Sequence, residues 1–458
     1  MFENILGQQS VEQLARDIRE TALAPSMLFS GPAGTGKGST ALELGRILSC
    51  ESPGAPWNCP CPACSLHRTL SHTDMLLLGP RNFSAEITAS REAFLREPNA
   101  PSAKLLYIRA VRKLAVRFSP VLWEDDPKLS KINGTLGSLH EELEEFTALP
   151  LQAAGSVPDE KAEKLSLSLA KLAFKLESDG ISDSIPIGHI RRASYWSRLA
   201  PSGRRKLVII ENADRMQDGA RNSLLKILEE PPDRVNILLT STNPGALLPT
   251  IRSRLRPYRF YRRDQAVETD VIRRVFRDPG GAEKNLAAAV PGEGVLKYLE
   301  SFMPVPGEEL YPLAAFFTAS AAAAAIHGIR ERGKTGVPEV IVALGKYAAP
   351  LAEAAGLGRP STETKGALQE LLKRTSGFEV RSLFSQFLGQ LQRIVSECLR
   401  LSGGGPEGIP VRDLWNGRIR SAETAVSTYN QNPALVSERL FVELRDGLSF
   451  LELGAARK

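Results

Sequence analysis

The residues best suited to chemistry sit in a glycine-rich loop, GPAGTGKGST at 31–40, directly after the apolar run Met27, Leu28 and Phe29. Gly31, Gly34 and Gly36 let backbone amides turn inward around phosphate oxygens, and Lys37 adds positive charge where a helix begins. The pattern predicts a loop that holds ATP or ADP. Its last position departs from the motif, because Gly38 stands where a Ser or Thr hydroxyl would hold magnesium. Ser39 comes one residue late, and one residue along a helix turns a side chain by about 100°. Magnesium coordination is therefore expected to be weak.

A second centre lies in 207–260. Leu207, Val208, Ile209 and Ile210 form a continuous apolar run suited to a strand buried on both faces of a parallel sheet, and Glu211 and Asn212 end it. In phosphate-loop hydrolases an aspartate at this point reaches the magnesium shell, and a following glutamate takes a proton from water. Asn212 is a neutral amide and accepts no proton. Gly38 and Asn212 thus argue independently against fast hydrolysis. A helix is predicted over Gly219–Glu230, capped by Asp218, with Leu224, Ile227 and Leu228 on its core face and Pro231-Pro232 ending it. The next strand, Ile237–Leu239, delivers Thr240, Ser241, Thr242 and Asn243, suited to sensing a terminal phosphate or to ordinary turn chemistry.

Cys50, Cys59, Cys61 and Cys64 share one short window, while Cys398 stands alone in a predicted helix. Thiols stay reduced in a cytosolic protein, and closely spaced cysteines on a loop with few apolar residues can offer zinc four thiolates. A ligand set of this kind is structural, since it leaves no open position for water. His67 could replace one thiolate, or simply be exposed.

The elements that must position these groups follow from periodicity. Ser10 and Gln13 fit a capping box, and Val11, Leu14, Ala15 and Ile18 predict an amphipathic helix over 10–21. Between 83 and 184, Lys104, Arg109, Arg112, Lys113 and Arg117 recur beside apolar residues as a basic amphipathic helix, and 136–146 and 161–176 also have helical spacing. After Phe260 the pattern is all-helical, with a break at Arg330–Lys334 and long apolar stripes over Val380–Leu401 and Ile419–Leu451. The 458 residues, 42% hydrophobic, suggest about three domains and ordinary soluble cores. The opening MFENILGQQS lacks the layout of a secretion signal. The uncharged run Leu310–Ile326 is alanine-rich and short of the ~20 residues a bilayer needs, so it is expected to be a buried helix in the cytoplasm. A net charge of +6 permits DNA nearby without demonstrating it.

Together NSLLKILEEPP, IRSRL and the cysteine window after the phosphate-loop helix resemble the bacterial clamp-loader subunits of DNA polymerase III, delta-prime most closely and gamma/tau next. The resemblance covers roughly 1–80 and 185–260 well. It implies an α/β AAA+ domain over 1–260, a parallel sheet with helices on both faces, carrying a zinc loop at 50–67 and a helical insertion at about 83–184. A helical lid at 261–335 and a helical collar at 336–458 follow. By resemblance Arg254, after Ser253, is an arginine finger that acts in a neighbour's nucleotide site, while Leu255 replaces the family's cysteine. Gly31, Gly34, Gly36, Lys37, Gly38, Ser39, Glu211 and Thr242 become nucleotide-site residues, and Phe2, Ile5, Leu6, Gly7 and Gln8 resemble an adenine-side box. Cys59 and Cys61 enclose only Pro60, where the family has two residues. The implied partners are delta and gamma/tau subunits in a five-subunit ring, the sliding clamp and primed DNA, with no membrane. The expected role is a stator with little hydrolysis of its own. Alternatives are a gamma/tau-like motor, favoured by Lys37, and a nucleic-acid-binding scaffold, suggested by the net charge and by the insertion, which could touch DNA or a partner or be surface elaboration.

Overall fold

The computed structural model describes all residues except 125, 152–158, 183, 289–290, 303–306, 332–336, 338, 364–379, 402–407, 428, 430 and 456–458. In chain order the first unit, Met1–Met303, runs α1 (Gln9–Arg19), β1 (Ser26–Ser30), α2 (Lys37–Ser49), α3 (Pro62–Arg68) and β2 (Met75–Leu78). Next come α4 (Ser84–Arg96), α5 (Pro101–Ala115), α6 (Pro120–Trp123), α7 (Leu129–Ala148), α8 (Glu160–Gly180), α9 (Ile187–Arg198) and β3 (Lys206–Ile210). It closes with α10 (Asp218–Glu229), β4 (Val235–Ser241), α11 (Pro249–Arg252), β5 (Arg256–Arg259), α12 (Gln265–Val275), α13 (Pro279–Ala288) and α14 (Gly294–Glu300).

The sheet has the order β2-β3-β4-β1-β5 and every pairing is parallel. Each strand needs a crossover to reach its neighbour, so helices cover both faces and β1, β3 and β4 are buried along their whole length. Side chains alternate between two cores. Leu28, Leu76, Leu78, Val208, Ile210, Ile237 and Leu239 face α4 to α11, whereas Phe29, Leu77, Leu207, Ile209 and Leu238 face α1, α2 and the cysteine loop. The ends of β1, β3 and β4 thereby gather the phosphate loop, Glu211 and Ser241 at one edge, where open parallel sheets place ligands.

The helices between β2 and β3 are built into this core. Tyr107 donates to the Ser166 carbonyl at 2.6 Å, and Phe146 packs edge-on against Phe94 and Tyr107 at 5.0 and 5.3 Å. The basic helix is α5, and 136–146 and 161–176 lie inside the longer α7 and α8.

Two local expectations are corrected. No capping box forms, because the first helix begins at Gln9 and the cap residue is Gln8. The Gln8 amide is spent on Tyr261, accepting from its N–H at 3.0 Å and donating to its carbonyl at 2.8 Å, so tertiary contact outcompetes the local cap. Helix α10 starts one residue early, with Gln217 rather than Asp218 at its cap.

The second unit, Pro304–Lys458, contains α15 (Gly307–Glu331), α16 (Glu339–Ala354), α17 (Val380–Leu401), α18 (Gly408–Ser427) and α19 (Pro433–Ala455). The alanine-rich run lies in α15 and is mostly buried, consistent with a core helix. Phe317 meets Phe387 and Phe441 edge-on, and the Tyr311 and Tyr347 hydroxyls both donate to Glu397. The Ile419–Leu451 stripe is split between α18 and α19, where Pro433 starts a new helix.

If α7 belongs to the sheet's own core, Phe146→Ala should cost about 3–5 kcal/mol. Urea unfolding should then show a clearly lower midpoint; an unchanged midpoint would mean that α7 packs independently.

Candidate functional site

The phosphate loop connects β1 to α2. Gly36, at φ 91°, takes the left-handed conformation that starts α2 at Lys37, and a Cβ on Gly31 would stand 2.1 Å from the Phe260 carbonyl oxygen. Glycine is therefore required at both positions. The Lys37 ammonium bridges the loop, donating to the Gly31 and Pro32 carbonyls at 2.7 and 2.5 Å. Burial lowers its pKa to about 8, with nearby Arg263 adding to the effect and Asp214 and Glu211 opposing it. Arg263 holds the loop from the side, donating to the carbonyls of Gly34 at 2.6 Å and Leu6 at 3.0 Å.

Glu211, at the end of β3, turns its carboxylate across the start of α2. A Cβ on Gly38 would stand 2.6 Å from Glu211 Oε1, so the carboxylate lies where a Ser or Thr side chain would project. Arg117 donates to Glu211 Oε2, and the Lys113 ammonium is 3.7 Å from Oε1 and 2.9 Å from Glu86. Burial alone would raise the Glu211 pKa, yet Lys113 and Arg117 outweigh it and hold the carboxyl below its usual range. Asn212 is left-handed at φ 48° and ψ 53°, a conformation asparagine tolerates better than most residues. Its N–H donates to Thr240 Oγ1 at 3.0 Å.

Asp214 organises the adjoining strand end. It accepts from Ser241 Oγ at 2.6 Å and from the Thr242 N–H at 3.3 Å. Thr242 thus borders the site through its backbone, while Ser39 is exposed on α2 and does not replace the missing hydroxyl. Sequence reasoning missed Asp214, Lys113, Arg117 and Arg263 as site residues. Only the four-residue spacing of Lys113 and Arg117 hinted that they share a face.

The four clustered cysteines converge, with every Sγ within 4.8 Å of the others. Tetrahedral zinc with sulfurs at ~2.3 Å needs them about 3.8 Å apart, so small rotations suffice and the set fits a structural zinc site. Cys50 and Cys59 are already 3.6 Å apart. Arg46 donates to Cys64 Sγ at 3.0 Å and is itself held by Glu43, while Ser52 Oγ lies 3.1 Å from Cys59 Sγ. Such outer contacts stabilise thiolate charge. His67 is not one of the clustered ligands: its Nε2 contacts Ser49 Oγ at 2.9 Å and its ring stacks on His72. Proline 60 shortens the Cys59–Cys61 spacing without preventing convergence, because α3 begins at Pro62 and carries Cys64 back toward the pair.

Arg254 follows α11. It donates to the Thr250 carbonyl at 2.8 Å and to Glu229 Oε1 at 2.7 Å, with about a third of its side chain exposed. These hydrogen bonds go to α11 and α10, not to the chain's own phosphate loop.

Sequence comparison bears on this arrangement directly. The family described as DNA polymerase III, delta subunit, matches residues 7–119 and 160–264, leaving out 120–159, which holds α6 and α7. The delta-prime subunit of Pseudomonas aeruginosa is 37% identical over 111 residues, 24% of this chain and 30% of that protein. That of Bacillus subtilis is 36% identical over 101 residues, 21% of this chain and 31% of the relative. Over these residues the chain is related to the clamp-loader subunits of DNA polymerase III. The gamma/tau subunit of Mycobacterium tuberculosis is 40% identical over 57 residues, 12% of this chain and 10% of that protein. The chain thus spans less than a third of the length of each of these curated relatives. The five-stranded parallel sheet with its phosphate loop and the following helical part give the α/β AAA+ architecture of the family.

Metal analysis of the purified chain should give about one zinc per molecule. Cys64→Ser should lower that content and the melting temperature together. A fully folded, metal-free protein would refute the site.

Proposed function

We propose that the chain is a delta-prime-like stator of the DNA polymerase III clamp loader, donating Arg254 to the nucleotide site of a neighbouring ATPase subunit. The observation that carries this reading is a contrast within one unit: Glu211 is engaged by the chain's own cations beside Gly38, whereas Arg254 is displayed at the surface. A guanidinium keeps its charge and offers several donors, which suits it to the negative charge that spreads over a transferring phosphoryl group. Glu229 and the Thr250 carbonyl limit the side chain's freedom, so less entropy is lost when it engages a phosphate.

In this reading the chain works in the cytoplasm beside delta and gamma/tau subunits in a five-membered ring that opens the sliding clamp and places it on primed DNA. Residues 261–335 act as the lid and 336–458 as the collar through which the ring assembles. The chain itself hydrolyses little or no ATP, although the glycine loop and Lys37 retain what is needed to hold ATP or ADP. A gamma/tau-like motor is the second reading, favoured by the intact Lys37 and opposed by Gly38 and Asn212.

In a complex reconstituted with the ATPase subunits, Arg254→Ala should leave assembly intact and lower clamp-stimulated hydrolysis by about 10³-fold or more at the affected site. Hydrolysis at the unaltered rate would remove the finger from the account.

A further inference from the structure

Magnesium at a phosphate loop is normally held between a hydroxyl at the start of the helix and a carboxylate at the end of the neighbouring strand. Here the hydroxyl is absent and the carboxylate is engaged. Glu211 Oε1 occupies the space next to Gly38, the Arg117 guanidinium donates to Oε2, and the Lys113 ammonium lies 3.7 Å from Oε1. Magnesium requires close to octahedral oxygen coordination at about 2.1 Å and gives up its waters reluctantly, so a carboxylate engaged by two fixed cations is a poor ligand for it.

We propose that Lys113 and Arg117 are the resident cations of this nucleotide site, taking the place of magnesium, so that it accepts a nucleoside di- or triphosphate as the metal-free anion. Lys113 comes from α5 and Arg117 from the 3₁₀ turn that follows it, Val116–Phe118, rather than from the loop or β3. Arg117 is 3% exposed and its Nη1 stands 2.8 Å from a Cβ placed on Gly79, so it fixes Glu211 from behind, whereas the Lys113 ammonium stands 4.0 Å from a Cβ placed on Gly38, beside the start of α2. With Lys37 on the loop and Arg263 beside it, the site sets four cationic side chains against the carboxylates of Glu211, Asp214 and Glu86. Lys37 and Arg263 donate to backbone carbonyls rather than to these carboxylates, so they are the charges left to meet an added polyphosphate. The inference deepens the reading of a non-hydrolysing site and rests on it, but is independent of the role of Arg254.

The test measures binding of a fluorescent ADP analogue to the full-length chain in magnesium and in EDTA, with Mn²⁺ paramagnetic resonance as a direct metal readout. The wild type should bind the analogue with affinities that differ less than about threefold between the two buffers, with no nucleotide-dependent Mn²⁺ signal. The double variant Lys113→Met/Arg117→Met frees Glu211 and should gain a Mn²⁺ signal and at least about tenfold tighter binding in magnesium. Lys113→Met alone leaves the buried Arg117 in place and should show a smaller gain in the same direction, which decides the matter if the double variant does not fold. Tenfold magnesium dependence in the wild type, no nucleotide binding in either buffer, or folded variants indifferent to metal would each overturn the proposal. Such results would leave the Arg254 reading standing, just as unaltered hydrolysis with Arg254→Ala would leave this one.

Discussion

A carboxylate largely enclosed at the end of a central strand must be neutralised, and in this protein the neutralising charge comes from a neighbouring helix and the turn that ends it rather than from the loop beside it. Glu211 is held by Arg117 and Lys113, and losing one partner of such a buried group typically costs about 3–5 kcal/mol. That requirement fixes α5 against the sheet. The same helix reaches the cysteine loop with its other cations: Arg109 donates to the Arg68 carbonyl at 2.6 Å, and Arg112 to the Thr69 carbonyl at 3.3 Å. Helix α5 is therefore a strut between the candidate metal centre and the candidate nucleotide site. Its cations are engaged internally, with Lys104 donating to the Thr147 carbonyl and Arg112 also pairing with Glu144. A stripe that would suggest nucleic-acid contact in an isolated helix serves packing here.

Much of this was legible in the sequence, and the parts that were not share a physical cause. The apolar runs at 27–29, 207–210 and 237–239 mark strands because strands buried on both faces have no polar side. The glycines of the loop mark a backbone shape, and the cysteines mark a cluster, because each motif is local. The interactions that adapt the site are not local. Arg117 meets Glu211 across 94 positions, and Arg263 meets Gly34 across 229. Nothing in the spacing of a basic helix announces which acid it will find. The failed capping box at Ser10 has the same origin, since Gln8 is committed to Tyr261. Gly38 lacks the hydroxyl of the motif, and in the fold the space its missing side chain leaves is the space the Glu211 carboxylate uses.

Asn212 and Asp214 set the frame of the strand ends. Asn212 suits a left-handed turn and offers no base, while Asp214 still ties β3 to Ser241 and Thr242 at the end of β4. The strand ends therefore remain in register around the loop. In the proposed stator this rigidity serves the ring, and Arg254 carries the chain's contribution to catalysis.

The central claim is that this site does not turn over ATP. Single-turnover measurement of phosphate release from ATP by the purified chain, with magnesium in excess, tests it most directly. Release should not exceed the protein-free background, and Lys37→Ala should leave that result unchanged. Turnover at rates ordinary for an AAA+ ATPase, abolished by Lys37→Ala, would contradict the account.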